Sequence, residues 1–229
     1  MKNRSPLLFA AAAALALLAG CQIAAAPARP PVNDAPAAAD STAAPVFSAG
    51  TWLAKSKDGE TYYFFDPDGV SERTASQETG AGLGFTYTVQ DGRGTFSMGS
   101  ADNTSACTLE ETDAEHITIK WEDGREESLS YISKEGSNEF QFYSNDALCN
   151  LAMSYYSRVS GGIKRMSAAA VTNEDGTVTI QVYENLNDRN STAVWYTVDR
   201  RTGKGTDVNT GEAVDLSISE RDTLLDIRP

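Results

Sequence analysis

The sequence predicts a mostly β protein: an antiparallel meander or barrel over residues 46–143, then a small domain over 144–218 with one helix packed on an antiparallel sheet. Three observations support this fold class. Short segments of alternating apolar and polar residues, rich in Tyr, Phe and Val, begin after Val46. Asp-Gly and other Gly turns separate them. Near Ser144 the apolar period changes from 2 to 3.6, and it returns to 2 after Gly161-Gly162.

The chain begins with the pattern of a signal peptide, predicted over residues 1–20. Lys2 and Arg4 precede an apolar run that is too short for the roughly 20 residues of a membrane-spanning helix. The run ends in Leu18-Ala19-Gly20-Cys21, which resembles the lipobox of bacterial lipoproteins. The resemblance implies cleavage before Cys21 and a diacylglyceryl group on Cys21. That lipid anchors the protein at the extracytoplasmic face of the cell membrane, or at the outer membrane of a Gram-negative cell. The alternative is an ordinary secretory signal with Cys21 incidental.

Residues 21–45 are predicted to form a disordered tether. They are rich in Ala and Pro and hold few large apolar side chains, so they cannot bury enough surface to offset the entropy cost of ordering. Such a segment holds the globular part away from the membrane. Residues 219–229 are predicted to be a C-terminal tail.

Nine short strands are predicted between Val46 and Ser144. Strong turn sequences lie between them, among them Lys57-Asp58-Gly59, Asp91-Gly92 and Glu122-Asp123-Gly124. This spacing is typical of an up-and-down meander that is closed or nearly closed. The predicted strands are Thr51–Ala54, Thr61–Phe65, Val70–Arg73, Phe85–Val89, Thr95–Met98, Ala106–Glu110, Ile117–Trp121, Ser128–Ile132 and Glu139–Tyr143.

Gly50-Thr51-Trp52, at the start of the meander, resembles the Gly-x-Trp opening of lipocalin-like domains. The resemblance covers residues 46–143 and implies a barrel in which Trp52 packs across one end. The segment is short for a full lipocalin, which leaves a ligand cavity or a filled interior as alternatives.

The second domain is predicted to start with a helix. Ser144 or Asn145 can cap it, and apolar residues recur at helical spacing from Leu148 until Gly161-Gly162 ends the pattern. Predicted strands follow at Met166–Thr172, Thr177–Tyr183, Ala193–Val198, Lys204–Val208 and Ala213–Leu216.

The segments Tyr196–Gly203 and Thr210–Leu216 resemble the strand, turn, strand ending of PepSY-like and cystatin-like modules. The resemblance implies an extracytoplasmic module that binds or inhibits proteins, or acts as a spacer. Taken whole, the chain resembles multi-module lipoproteins of gut Firmicutes, a resemblance that implies a location but no particular activity.

Cys107 and Cys149 are the two cysteines that remain once Cys21 is acylated. An extracytoplasmic location allows a disulfide between them, which would connect the two domains. The alternative is that both are small, buried hydrophobic residues.

The chain is acidic, with a formal net charge of −13. It contains no cluster of Lys and Arg that could release counterions from phosphates, so nucleic acid is not an expected partner. The charge serves solubility or forms an acidic recognition surface. Because most of the acidic residues lie in 46–143, a basic partner is expected to bind there with a strong salt dependence.

The sequence carries no recognised catalytic motif, and we expect no enzyme activity, metal or cofactor. His116, the single histidine, is expected at the surface end of a strand, without a nucleophile motif to pair with it. Asp66-Pro67-Asp68-Gly69 and Asn185–Asn190 contain oxygen ligands suited to Ca²⁺ but lack EF-hand spacing, so ordinary turns explain them.

Tyr62-Tyr63-Phe64-Phe65 places two rings on each face of a predicted strand. The outward pair either joins an exposed patch for a glycan, peptide or protein, or lies covered by the rest of the chain.

These observations favour a lipid-anchored extracytoplasmic binding protein whose ligand is a protein, a peptide or a glycan. A structural or envelope-assembly lipoprotein acting through protein contacts is the main alternative, and a cell-surface hydrolase is the weakest. An apolar cavity would favour the binding protein, and an exposed edge strand would favour the structural lipoprotein. A cleft with paired carboxylates would favour the hydrolase.

Overall fold

A computed structural model of the protein describes residues 46–66, 72–161, 165–185 and 189–218. These residues all belong to one compact unit. The predicted signal peptide (1–20), the tether (21–45) with its Cys21, and the C-terminal tail (219–229) lie outside the described residues.

The first layer is a curled, antiparallel, half-barrel sheet of eight strands. Each strand from the fifth to the eighth pairs with the strand before it, and the first strand lies between the second and the eighth, so the order is β3-β2-β1-β8-β7-β6-β5-β4. The strands are β1 Gly50–Ser56, β2 Gly59–Phe65, β3 Arg73–Ser76, β4 Phe85–Gln90, β5 Arg93–Met98, β6 Thr104–Asp113, β7 His116–Trp121 and β8 Glu126–Ser133.

The Asp91-Gly92 turn shows why the hairpins form where the sequence predicts them. Gln90 pairs with Arg93, which leaves a loop of two residues. Both loop residues have a positive φ, 51° at Asp91 and 73° at Gly92. A two-residue loop of this kind matches the right-handed twist of the strands, and Asp followed by Gly adopts it at little cost.

The two edges of the curled sheet meet at one end. Arg73 in β3 forms an isolated bridge with Gly84, just before β4. The Thr74 amide donates to the Leu83 carbonyl at 2.8 Å, and the Phe85 amide donates to the Glu72 carbonyl at 2.8 Å. These bonds satisfy part of both edges, which would otherwise offer free backbone groups.

Aromatic and aliphatic side chains fill the concave side of this sheet. Trp52 is fully buried, packs edge to face on Phe47 and Tyr131, and donates its indole N–H to the Ser48 carbonyl at 2.9 Å. The described interior is therefore a packed core. Its buried members are Phe47, Trp52, Ala54, Tyr63, Phe65, Phe85, Phe96, Cys107, Leu109, Ile117, Ile119, Trp121 and Leu129.

The outward pair of rings on β2 is covered. Tyr62 and Phe64 are buried in a second small cluster with Phe140, and Phe142 packs against it. The segment that covers them was predicted to be a strand, Glu139–Tyr143, and this prediction is wrong: Glu139 lies in a turn, and residues 140–143 have no regular secondary structure. Aromatic residues alternate in a buried strand and also in this covering segment. Burial of every second side chain produces the alternation, whether or not the backbone pairs in a sheet.

The predicted strand Val70–Arg73 is displaced along the chain. Residues 70 and 71 lie outside the described residues, Glu72 is not in a strand, and β3 begins at Arg73. The strand continues through Ala75, which is buried beside Tyr62 and Phe64, so packing against the outer cluster decides its position.

The second layer is a five-stranded antiparallel sheet with one helix. Helix α1 spans Asn145–Ser160. Ser144 caps it by accepting from the Ala147 amide at 3.1 Å, and Gly161 ends it in the left-handed conformation. The strands, in the order β13-β12-β11-β10-β9, are β9 Met166–Thr172, β10 Val178–Asn185, β11 Asn190–Val198, β12 Lys204–Asp207 and β13 Ala213–Asp215.

Helix α1 packs on one face of the second sheet and forms its own core there. Leu148 and Ala152 are fully buried against Val178, Ile180 and other inward residues of β10 and β11. Each sheet thus has a separate apolar cluster. Within the described ranges, no helix combines the length and the apolar character needed to cross a bilayer.

Candidate functional site

Both cysteines that remain after Cys21 are free thiols in the structure. Cys107 is buried in the core of the first sheet, and Cys149 packs against the core of the second. Burial raises the pKa of each thiol to about 11. Cys107 therefore behaves as a small buried hydrophobic residue and Cys149 as a half-buried one, and both are weak nucleophiles.

His116 lies at the surface, at the start of β7, where its Nδ1 contacts Asp113 Oδ1 at 2.8 Å. The pKa of Asp113 is lowered, first by the hydrogen bond from the Glu115 amide and then by His116. These two contacts stabilise the turn before β7, and neither of them includes a nucleophilic side chain.

The two candidate calcium turns are only partly described. Asp66 accepts hydrogen bonds from the amide and the hydroxyl of Ser137, at 3.1 and 2.9 Å, so its carboxylate holds the covering segment in place. Residues 67–69 and 186–188 lie outside the described residues. In the described part of the chain, no group of three or more His, Cys, Asp or Glu side chains is arranged to hold a metal ion.

Arg200 joins the two layers from a buried position, with only 3% of its surface exposed. Its Nη1 donates to the carbonyls of Gln77 at 3.1 Å and Tyr143 at 3.0 Å. Its Nη2 donates to Asn145 Oδ1 and Thr172 Oγ1, both at 2.8 Å. Burial lowers the pKa of Arg200, an effect opposed by nearby Tyr62, Glu60 and Glu78. One guanidinium thus connects the end of β3, the start of α1 and the end of β9.

A polar groove of about 550 Å³ opens beside this connection. We call it the junction groove. Its walls come from both layers: the β1–β2 turn (56–61), the segment after β3 (76–78), the start of β8 with Arg125 (125–127), Asn145 at the start of α1, and the end of β9 (170–172). Its volume is within the range of ligand sites, but its walls are more polar than is usual for a drug-like ligand.

The junction groove is acidic. Its walls include five carboxylates, Asp58, Glu60, Glu78, Glu126 and Glu127, and two cationic side chains, Lys57 and Arg125. Some of the carboxylates have partners. Glu60 pairs with Lys55 at 3.0 Å, Glu78 accepts from the Asn145 amide group at 2.6 Å, and Glu127 accepts from the Tyr63 hydroxyl at 2.8 Å.

Gln77 also lines the groove. Only 5% of its surface is exposed, and its Oε1 is buried with no hydrogen-bond partner among the described residues. Leaving such an atom unpaired costs about 1–3 kcal/mol, so this part of the wall is less well satisfied than the rest of the interior.

Comparison with protein families, with curated proteins and with solved structures finds no match to this chain. The chemistry of the ligand is therefore inferred from the geometry and charge of the junction groove alone.

The sequence predicted none of the junction groove as a site. The junction groove brings together five segments that are separated by up to about one hundred residues of sequence. The acidity of residues 46–143 was the one available indication, because all five groove carboxylates belong to that part. The residues that the sequence did single out, His116, Cys107 and Cys149, do not line the groove.

Proposed function

We propose that the protein is a lipid-anchored, extracytoplasmic binding protein that recognises a cationic ligand in the junction groove. The lipid on Cys21 would supply the location, and residues 46–218 would supply recognition. The observation that carries the proposal is a groove of about 550 Å³, lined by both sheets, in which carboxylates outnumber cationic side chains five to two.

The interior of the first sheet supports a groove site over a site inside the sheet. Thirteen buried side chains form the core there, and Trp52 and Phe96 are fully buried. As part of the proposal, the first sheet is a lipocalin-like scaffold that begins with Gly50-Thr51-Trp52. Because its interior is filled, the ligand site lies outside the sheet interior, in the junction groove.

Charge and polarity together define the ligand chemistry. The acidic wall attracts a cation over distances limited by salt, and it raises the rate of encounter more than the final affinity. The hydroxyls of Ser56, Ser76 and Thr61 then suit a ligand with several N–H donors. A guanidinium or ammonium group next to peptide amides meets this description.

The test measures binding of a fluorescent hexapeptide of alternating Lys and Val, blocked at both ends, to the full chain in mild detergent. Asp58→Asn with Glu126→Gln removes two groove carboxylates that form no salt bridge with another described residue. Asp102→Asn with Glu111→Gln is the matched control, because it changes the net charge equally at exposed positions outside the groove.

We expect saturable binding that weakens about fivefold in the groove variant and less than twofold in the control. Binding should also weaken when NaCl rises from about 50 to 300 mM. Equal loss in both variants would mean that net charge alone attracts the peptide. Binding of a neutral chito-oligosaccharide, without binding of the peptide, would replace the cationic ligand with a glycan.

A further inference from the structure

We infer that the ligand of the junction groove is an extended basic peptide segment that adds as a sixth strand to the free edge of β9. The inference rests on the proposed function, because it specifies how a cationic ligand in that groove is held. Strand addition supplies affinity through main-chain hydrogen bonds, and side chains at alternate positions supply selectivity.

Strand β9 lacks the features that protect edge strands from pairing. It is seven residues long, Met-Ser-Ala-Ala-Ala-Val-Thr, without charge or proline. Its register with β10 runs from Met166 to Thr172 without a bulge. Val171 is 65% exposed, and Ala169 is also exposed. Natural proteins usually block such an edge with Lys, Pro, a bulge or a short strand.

The other sheet edges in the described part of the chain differ from β9 in length or position. Strand β13, at the opposite edge of the same sheet, has three residues. In the first sheet, the edge strand β3 has four residues, and the edge strand β4 has six, of which the first, Phe85, donates its amide to the Glu72 carbonyl. Strand β9 is the edge strand that also lines the junction groove.

The structure holds β9 in a fixed position for a partner strand. Ala168 and Ala170 pack against the core under α1, and the Thr172 hydroxyl accepts from Arg200 at 2.8 Å. A strand that is already extended and fixed loses little further entropy when a peptide pairs with it.

The end of β9 is also a wall of the junction groove, which specifies the peptide. Ala170, Val171 and Thr172 line the groove together with its five carboxylates. A peptide that continues along β9 therefore enters an acidic environment. Lys or Arg at alternate positions of the peptide complements these charges, whereas acidic residues are repelled.

The test uses two isomers of the Lys-Val hexapeptide that carry N-methyl groups on either the odd or the even backbone amides. Their composition and charge are equal. Only one set of amides faces β9 in a paired strand, because the hydrogen-bonding direction alternates along a strand. Strand addition predicts that one isomer binds like the parent peptide and that the other loses at least about tenfold in affinity.

A pair of protein variants locates the contact. Val171→Lys places a charge on the β9 edge, and Val159→Lys makes the same change at a comparably exposed site, 59%, in the last turn of α1. We expect Val171→Lys to weaken parent-peptide binding about tenfold or more and Val159→Lys to leave it within twofold.

The possible outcomes separate the two proposals. Equal binding by both N-methyl isomers, with the groove carboxylates still required, would overturn strand addition but leave the cationic groove in place. Failure of every cationic peptide would overturn the proposed function itself. Self-association in sedimentation velocity that Val171→Lys abolishes would identify a second copy of this chain as the occupant of β9, and would also overturn the peptide inference.

Discussion

Arg200→Met should destabilise the protein strongly, although Arg200 lies in a turn between two strands. The substitution keeps most of the volume and removes four hydrogen bonds. The Gln77 carbonyl keeps its other donor, the Asn145 amide at 2.8 Å. The Tyr143 carbonyl, Asn145 Oδ1 and Thr172 Oγ1 lose the guanidinium.

Three lost hydrogen bonds from a charged donor, at about 1.5–3 kcal/mol each, give a gross loss of about 4.5–9 kcal/mol. Removing a buried cation recovers several kcal/mol of its desolvation penalty. We therefore expect a net loss of about 3 kcal/mol in the free energy of unfolding. For a chain of this size that is a fall of about 6–12 °C in Tm.

Urea denaturation followed by tryptophan fluorescence and far-UV circular dichroism measures this loss. Arg201→Met is the control, because the neighbouring Arg201 side chain is 43% exposed, pairs with Glu135 at 2.6 Å and lies over the Phe140 ring at 4.5 Å. We expect the control to lose about 1 kcal/mol. A loss in Arg200→Met no larger than in the control would refute the view that Arg200 holds the two layers together.

Three further predictions concern the anchor, the thiols and the two layers. Cys21→Ser should abolish palmitate labelling and release the protein from membranes, and membrane retention of the processed variant would contradict the lipid anchor. Cys107 and Cys149 should both be counted as free thiols by mass spectrometry after denaturation. In the native protein their modification rate should keep rising toward pH 11, since their raised pKa values keep the thiolate scarce; a plateau near pH 8.5 would contradict this burial. The fragments 46–143 and 144–229 should each fold alone and melt below the intact chain, because each has its own core and loses the Arg200 contacts; failure of both fragments to fold would mean a single indivisible domain.

Local chemistry made several elements predictable. The helix lies between its caps, Ser144 and Gly161, because a capping hydroxyl and a left-handed glycine satisfy its ends within a few residues of sequence. The Asp91-Gly92 hairpin forms because both residues tolerate a positive φ. Strand β9 was predicted with its observed bounds, Met166–Thr172, because its neighbours along the chain are turn sequences.

Features that depend on distant segments were not predictable. Glu139–Tyr143 has the alternation of a strand, yet Phe140 and Phe142 instead cover Tyr62 and Phe64 on the far side of the first sheet. The sequence around Arg200 resembles a solvated turn, since Asp199 and Arg201 beside it are charged. Its partners lie 28 to 123 residues away, and no local pattern encodes them.

Amide hydrogen exchange across β9 tests the central claim most directly. The full chain is compared with and without saturating Lys-Val hexapeptide, and exchange is read residue by residue by NMR. We predict that alternate amides within Met166–Thr172 gain at least about tenfold protection, while the opposite edge strand, Ala213–Asp215, is unchanged. Saturated binding with no added protection in Met166–Thr172 would contradict the account.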